Sequence, residues 1–371
     1  MKLFKSSDAN DLIQLHQSSQ FALAEKKAKA LLEDFPQEII LHNVLGVSLE
    51  AQKKFKEAAE TYRNILKIQP QFAEMQFNLG SVLYQMGDSE DAILHYQKAI
   101  QIKPDLVEAY FNLGIAYQSQ SEFDKALSAY QRAIELEPGF YEAHGSLGAV
   151  YLVQGEFDQA IQSFKQSLKI QDHARGHFNL GNAYYKLHQV APAIYNYEKA
   201  LLLNPNDEEI KTNLDFARKM TIDDIKVIPK VGFHKLISDF TSSYYYDTWA
   251  WIAVVFAFLF LAFFAGYYFS QQAAVKRIFF FGMFVWILGI GLAASSGFYE
   301  KNRMNNEKPA IIFAEATALK NEPKVNSPDA TVLHEGTKVY ILESIANWKK
   351  VELTDETTGW IEESAIKEIK N

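Results

Sequence analysis

The 371-residue chain contains no cysteine. That excludes disulfide frameworks, thiolate zinc sites and cysteine nucleophiles, and leaves the compartment open. Basic charge is also short: 37 Lys and Arg face 45 Asp and Glu, for a formal net charge of −8. A nucleic-acid binder needs a basic surface to displace counterions from phosphates, so nucleic acid is not an expected partner. Catalytic signatures are missing as well. There is no nucleophile elbow, no Walker-type phosphate loop and no HExxH pair. Gly289-Ile-Gly291 has the spacing that opens a dinucleotide loop, but neither a strand nor a polar helix start frames it. His173, His177 and His188 are the best potential metal ligands, yet no carboxylate pattern completes a set around them. No catalytic residue, metal or cofactor is expected.

What is present is a period. Glycines at 46, 80, 114 and 148 stand 34 residues apart, and Gly181 follows after 33. Leucine precedes each one: Leu45, Leu79, Leu113, Leu147 and Leu180. Twelve residues after each glycine stands Ala58, Ala92, Ala126, Ala160 or Ala193, and sixteen after it Tyr62, Tyr96, Tyr130, Phe164 or Tyr197. Proline closes four of the five units, at 70, 104, 138 and 205, with Asp172 in its place in the fourth unit, which is one residue short. That departure is expected to loosen the turn over 171–173 or alter the local pitch. Glycine and alanine at fixed spacing let two helices cross closely, an aromatic fills the space beside them, and proline stops the second helix. The unit resembles the tetratricopeptide repeat, a helix–turn–helix module whose copies stack to bury a shared core. The match covers 39–207, with a degenerate unit ahead carrying Leu12, Ala24 and Pro36, and an acidic-headed helix after Asp207 serving as cap.

The resemblance implies a groove that binds peptides or proteins. In that family the position two before the glycine faces the groove, where asparagine can pair with a partner's backbone. It holds Val44, Asn78, Asn112, Ser146 and Asn179 here, which makes Asn78, Asn112 and Asn179 candidate peptide-groove residues. The competing reading is that asparagine is simply common in the repeat. The preceding positions carry Asn43, Phe77, Phe111, Gly145 and Phe178 and show no basic clamp for a carboxylate. Phe77, Phe111 and Phe178 favour an apolar or extended peptide over an acidic tail.

A mean hydropathy of −0.15 hides two runs that contain no charged residue, Thr248–Val275 and Ile278–Tyr299. About 20 apolar residues cross a bilayer's hydrocarbon core, so two transmembrane helices are expected at 249–269 and 278–298. Tyr244, Tyr245, Tyr246, Trp249 and Trp251 read as an interfacial aromatic belt. Upstream, Phe233, Leu236, Ile237 and Phe240 fall on one helical stripe, which suits a short helix in the membrane interface or one packed on the preceding domain. Gly289, Ala293 and Gly297 recur every fourth residue, as Ala262 and Gly266 do in the first span, and are candidates for close helix packing in the membrane. No acidic or basic side chain lies within either span, so an anchor is expected rather than an ion or proton pathway.

After the polar stretch 300–308 the period changes to two. Val339 and Ile341 alternate with Lys338 and Tyr340, and Val351 and Leu353 with Lys350 and Glu352. The runs Leu333–Gly336, Val339–Leu342, Asn347–Val351 and Gly359-Trp360-Ile361 resemble a bacterial SH3 (SH3b) domain over 310–371. Trp348 and Trp360 are its candidate surface or core residues, core being the default for a small barrel.

The expected fold is mainly α: a tetratricopeptide α-solenoid with a capping helix over 5–220, a linker or interfacial segment over 221–247, a transmembrane hairpin within 248–299, a linker over 300–309, and a small all-β SH3-like barrel over 310–371. That order resembles the BatE-like proteins of the Bat aerotolerance group. The resemblance implies a scaffold in the bacterial cytoplasmic membrane that works with von Willebrand A-type membrane proteins and a MoxR-type ATPase, and it supplies no catalytic residues. It also implies that both soluble parts are periplasmic. The charge count argues the other way, with Lys235, Lys301, Arg303 and Lys308 outside the hairpin loop against Lys276 and Arg277 within it, and Met1–Leu15 has no apolar run that could serve as an export signal. Two functions are in play: a membrane-anchored adaptor with a peptide-binding groove, or a cell-envelope sensor whose SH3b domain binds wall peptide.

Overall fold

Each repeat unit becomes two antiparallel helices because its apolar residues return every three to four positions and one turn breaks the run. The computed structural model describes residues 6–225 and 233–370. The helix pairs are α1 (Ser6–Gln17) and α2 (Phe21–Asp34), α3 (Ile39–Ala51) and α4 (Phe55–Ile68), α5 (Ala73–Gln85) and α6 (Ser89–Ile102), α7 (Val107–Ser119) and α8 (Phe123–Leu136), α9 (Tyr141–Gln154) and α10 (Phe157–Ile170), and α11 (Ala174–Lys186) and α12 (Val190–Leu203). The turn inside each pair holds one residue in the left-handed region: Ser19, Lys53, Gly87, Ser121, Gly155 and His188, with φ between 57° and 85°. Such a residue lets the chain close the helix end. In the second pair Lys53 N–H donates to Glu50 O at 2.8 Å and Lys54 N–H to Leu49 O at 2.9 Å, which satisfies carbonyls the helix would leave open.

The chain divides into two compact units, Met1–Ala183 and Tyr184–Asn371. In the first, the period is a packing rule made physical. Tyr62, Tyr96, Tyr130 and Phe164 are fully buried, and each presses on the glycine sixteen residues before it. A Cβ on Gly114 would lie 2.6 Å from Cε1 of Tyr130, so only glycine admits the ring there. The degenerate first pair uses the same positions, with Leu12 and Ala24 both fully buried. The shortened turn is bridged by side-chain contacts. His177 Nε2 is 2.8 Å from Asp172 Oδ1, and the His173 ring packs edge-on against Tyr141 at 5.1 Å.

In the second unit, α13 (Glu208–Arg218) starts on Asp207, whose carboxylate accepts from the N–H groups of Glu209 (3.0 Å) and Ile210 (3.2 Å). It packs on α12 through Ile210, Leu214 and Ala217, all buried. Next come α14 (Phe233–Thr241), α15 (Tyr246–Phe269) and α16 (Ala273–Asn306). The expected linker after residue 299 is instead the last two turns of α16. Charge ends an apolar run without ending a helix: Glu300 pairs with Arg303 one turn on, and the helix stops at Glu307, shortly before Pro309.

The β region has seven strands: β1 (Pro309–Ile312), β2 (Ala316–Lys320), β3 (Asp329–His334), β4 (Lys338–Ile345), β5 (Trp348–Glu352), β6 (Thr358–Glu362) and β7 (Ile366–Glu368). They form one antiparallel sheet in the order β3-β2-β6-β5-β4-β1-β7. Ala310, Ile312, Leu319, Val339, Val351 and Ile361 make its core. The expected closed barrel is corrected here: β3 and β7 remain edges, and β2 meets β6 through a single register pair, Lys320 with Trp360.

Candidate functional site

Among the first helices of the units, α5 touches α7 and α7 touches α9. Asn78 lies on α5, Asn112 on α7 and Asn179 on α11, each half-buried. The Tyr96 hydroxyl donates to Ser81 Oγ at 3.4 Å, with Asn112 nearby, and Ser146 lies near the Tyr130 hydroxyl. The position therefore has structural work beside any groove role. Burial pushes the Tyr96 phenol up to about 12 and raises Tyr62 and Tyr130 as well, so all three stay protonated donors. Tyr62 and Tyr130 donate to Glu50 (3.1 Å) and Gln118 (2.8 Å).

The candidate phenylalanines are half-buried rather than free. Phe77 lies 5.8 Å from the Tyr96 ring, and Phe111 lies 5.8 Å from Tyr130 and 4.7 Å from Phe140. Phe178 is half-buried on α11. Two clefts in the first unit are lined by none of these six residues. One of about 430 Å³ is lined by Tyr110, Leu113 and Tyr117 of α7 and by Asp124, Lys125, Ser128, Ala129 and Arg132 of α8. Lys125 there stands 5.3 Å over the Tyr117 ring. The other, of about 360 Å³, is lined by His144, Gln162, Ser163, Lys165 and Gln166. Among the described residues no group of three or more His, Asp or Glu could hold a metal ion.

The second unit contains a contact that sequence reasoning missed. The β sheet docks on α12 and on the segment after α13. Asp223 is the hub: its Oδ2 accepts from the His334 backbone N–H (2.7 Å) and the Thr337 hydroxyl (2.6 Å), and its Oδ1 is 2.7 Å from His334 Nδ1. Burial works against the Asp223 carboxylate, but the Thr337 and His334 donors outweigh it and hold the carboxyl below its ordinary range. Glu198 of α12 accepts twice from Lys338 (2.9 and 2.8 Å) and once from Arg218 (2.8 Å). Tyr195 meets Phe313 at 5.7 Å, with the Lys367 ammonium 4.3 Å over the Tyr195 ring. Gly336, at φ +85°, brings the β3–β4 turn so close that a Cβ would lie 2.9 Å from Val190 and Thr221.

A signal for this contact was available. Tyr195 occupies the position of Glu60, Leu94, Ser128 and Gln162 in earlier units, and Ala191 that of Lys56, Glu90, Asp124 and Asp158. All eight of those are exposed, whereas Tyr195 and Ala191 are buried. In the sheet itself, Trp360 is 8 % exposed and Trp348 is half-buried, opposite Glu362.

The apolar helices α15 and α16 pack antiparallel with rings seated on glycines. A Cβ on Gly289 would meet Phe256 at 2.8 Å, and one on Gly297 would meet Trp249 at 3.1 Å; Ala293 between them is buried. Gly266 meets Phe279 and Gly282 meets Phe263 in the same manner. Ala262 is exposed, so the four-residue spacing in the first helix does not place both of its members at the contact.

With the geometry in place, the likeness to known proteins is specific to the array. The family described as "TPR repeat" matches residues 48–87, 80–121 and 150–187, and two described as "Tetratricopeptide repeat" match 107–140, 174–207 and 129–162. No curated protein matches the chain at a significant level. Among solved structures, PilW, a type IV pilus biogenesis factor, aligns with a TM-score of 0.51 at 20% identity over 56% of this chain and 96% of its own. PilF of Pseudomonas aeruginosa aligns with a TM-score of 0.50 at 18% identity, over 56% and 94%. MamA is 27% identical over 46% of this chain and 97% of its own, with a TM-score of 0.42. These likenesses speak to fold alone. Residues 48–207 are an array of tetratricopeptide repeats.

Proposed function

We propose that the chain is a scaffold anchored in a bacterial membrane, whose repeats capture protein or peptide partners at the bilayer surface. Tetratricopeptide repeats generally bind proteins or peptides, so a protein-interaction role is the coarse function of the array. The observation that carries the membrane part is the outward face of the hairpin. Trp251, Phe258, Phe281 and Leu288 are 66–69 % exposed on helices with no acidic or basic residue in their apolar runs. A soluble core helix hides such side chains; the most apolar stretch of α15 has none of its residues buried. The docking of the β sheet on α12 supports a two-crossing hairpin. These elements flank α15 and α16 in sequence and touch, which an odd number of crossings would forbid.

Within this reading, Asn78, Asn112 and Asn179 hold the backbone of an extended partner beside Phe77, Phe111 and Phe178. The domain order fits a Bat-type assembly with von Willebrand A-type membrane proteins and a MoxR-type ATPase. Crosslinking of the full chain in membranes, followed by mass spectrometry, tests the partner. Replacing Asn78, Asn112 and Asn179 with Ala is expected to cut its capture at least several-fold while the array still melts cooperatively; undiminished capture removes the groove assignment.

A further inference from the structure

The hairpin is preceded by a short helix whose position is tied to it. Trp249, in the first turn of α15, is 5 % exposed; its indole N–H donates to Thr241 O, the last residue of α14, at 2.8 Å. The rings of Phe240 (5.2 Å) and Tyr244 (5.5 Å) close on the same indole, and Gly297 of α16 gives it room. The end of α14 is thereby held level with the start of α15 and the end of the apolar part of α16. The uncharged run Ile278–Tyr299 has 22 residues, or about 33 Å of helix, close to the hydrocarbon thickness of a bilayer. Its upper end is marked by Glu300, Lys301 and Arg303, so the Trp249–Thr241 tether sits where hydrocarbon gives way to headgroups.

At that level α14 keeps apolar side chains exposed. Leu236 is 67 % exposed, Phe240 49 % and Ile237 37 %, and they run on into exposed Tyr244 and Trp251. Asp239 is exposed at the margin of this face. A soluble helix with this pattern turns it inward, whereas one fixed at a membrane boundary turns it into lipid. We propose that α14 lies flat in the headgroup layer on the side of the β sheet, with Leu236, Ile237 and Phe240 against the acyl chains. This rests on the hairpin spanning the bilayer. The occupant of the face is lipid, because the face is continuous with the outward apolar surface of the hairpin and fastened at its rim.

The cysteine-free chain makes the test direct. Single variants L236C, D239C, L288C and E356C of the full chain carry an environment-sensitive fluorophore in phosphatidylcholine–phosphatidylglycerol vesicles. Quenchers are placed either shallow or deep on the acyl chains, and a third quencher is dissolved in water. Position 288, in mid-span, is expected to be quenched most by the deep lipid, and position 356, in a sheet turn, only from water. Position 236 is expected to favour the shallow quencher over the deep one, with 239 reached from water more readily than 236. If 288 is deep while 236 is quenched only from water, or is shielded from all three quenchers by protein, the interfacial helix is overturned and the span stands. If 288 escapes the deep quencher, the membrane reading itself fails.

Discussion

Removing the Asp223 carboxylate is expected to release the β sheet from α12 without unfolding either. Three donors converge on this side chain, at 2.7, 2.7 and 2.6 Å, and it is 10 % exposed. Hydrogen bonds to a charged group contribute about 1.5–3 kcal/mol each, but here they are not additive, because losing one frees the others. The Asp223→Ala change also strands the His334 N–H and the Thr337 hydroxyl, whose burial without a partner costs about 1–3 kcal/mol apiece. Undocking re-solvates both, so the loss is capped by the free energy of docking, and a weakening of about 2–4 kcal/mol is expected. The sheet keeps its own core of Ala310, Ile312, Leu319, Val339, Val351 and Ile361, none of which needs Asp223. Amide hydrogen exchange of the full chain reads the difference. The His334 amide, which donates to Asp223, is expected to exchange roughly 30- to 1000-fold faster, the equivalent of that energy, while Gly336, whose N–H donates to Ile312 O within the sheet, and Val351 in the β4–β5–β6 ladder keep their protection. Acid gives a second reading. The folded carboxyl is held below its ordinary range, so its contribution is fully present above about pH 4 and is lost as pH falls through the lowered value. Unchanged protection of the His334 amide in the alanine variant would falsify the assignment of Asp223 as the docking hub. Equal loss of protection at Val351 would mean that the sheet has no independent fold.

Two further predictions concern the array. Gly114→Ala drives a Cβ to within 2.6 Å of a fully buried tyrosine ring, a strain of about 1–3 kcal/mol offset by about 1 kcal/mol of helix propensity, so thermal melting should show a net loss of up to about 2 kcal/mol. Gly139→Ala, with nothing within 4 Å, is the control and should leave the melt almost unchanged. Burial works against the Glu25 carboxylate, but Lys29, Lys54 and Gln52 donate to it and bring its carboxyl down to about 2. Its stabilisation is therefore complete above its ordinary value of 4.5 and fades as pH falls toward 2. Glu25→Gln should lower stability by about 1–3 kcal/mol at neutral pH, and the gap from wild type should shrink in acid; a constant gap would show that the charge is not what matters.

How far residues announce structure depended on whether their reason was local. Leucine, glycine, alanine and the aromatic sixteen residues on located the helices of the array because close helix crossing leaves no other residue types there. The turns were less legible. Ser19, Lys53, Ser121 and His188 take the left-handed position where only Gly87 and Gly155 advertise it, at a conformational cost the repeat packing overrides. Asp223 was invisible because its partners lie 111 and 114 residues away and no local pattern links them. Tyr195 and Ala191 could have been read by comparing the outer face of the last unit with the earlier ones, since an apolar residue where every other copy is exposed asks for a cover. In the sheet, alternation marked the strands but said nothing of closure, which depends on which edges meet. The candidate asparagines share the limit of any repeated residue: Asn112 lies near the Tyr96 hydroxyl, so its recurrence serves packing as readily as binding.

The hairpin shows that small residues can serve a helix contact by receiving side chains rather than a backbone. Small residues four apart suggest two backbones in close approach, yet here each notch receives a ring: Phe256 on Gly289, Phe263 on Gly282, Phe279 on Gly266 and Trp249 beside Gly297. In lipid there is no hydrophobic gain from bringing two apolar helices together, so association must come from packing itself. A ring seated on a glycine buries contact area that a leucine-on-leucine face could equally find with the acyl chains, and it does so at one register only. Four such seats along two antiparallel helices fix both rotation and height. The aromatic richness of this segment is then the means of holding one geometry between the two helices. If the hairpin spans a bilayer as proposed, the same geometry sets the level of Trp249, and through its bond to Thr241 that of α14, at the bilayer surface.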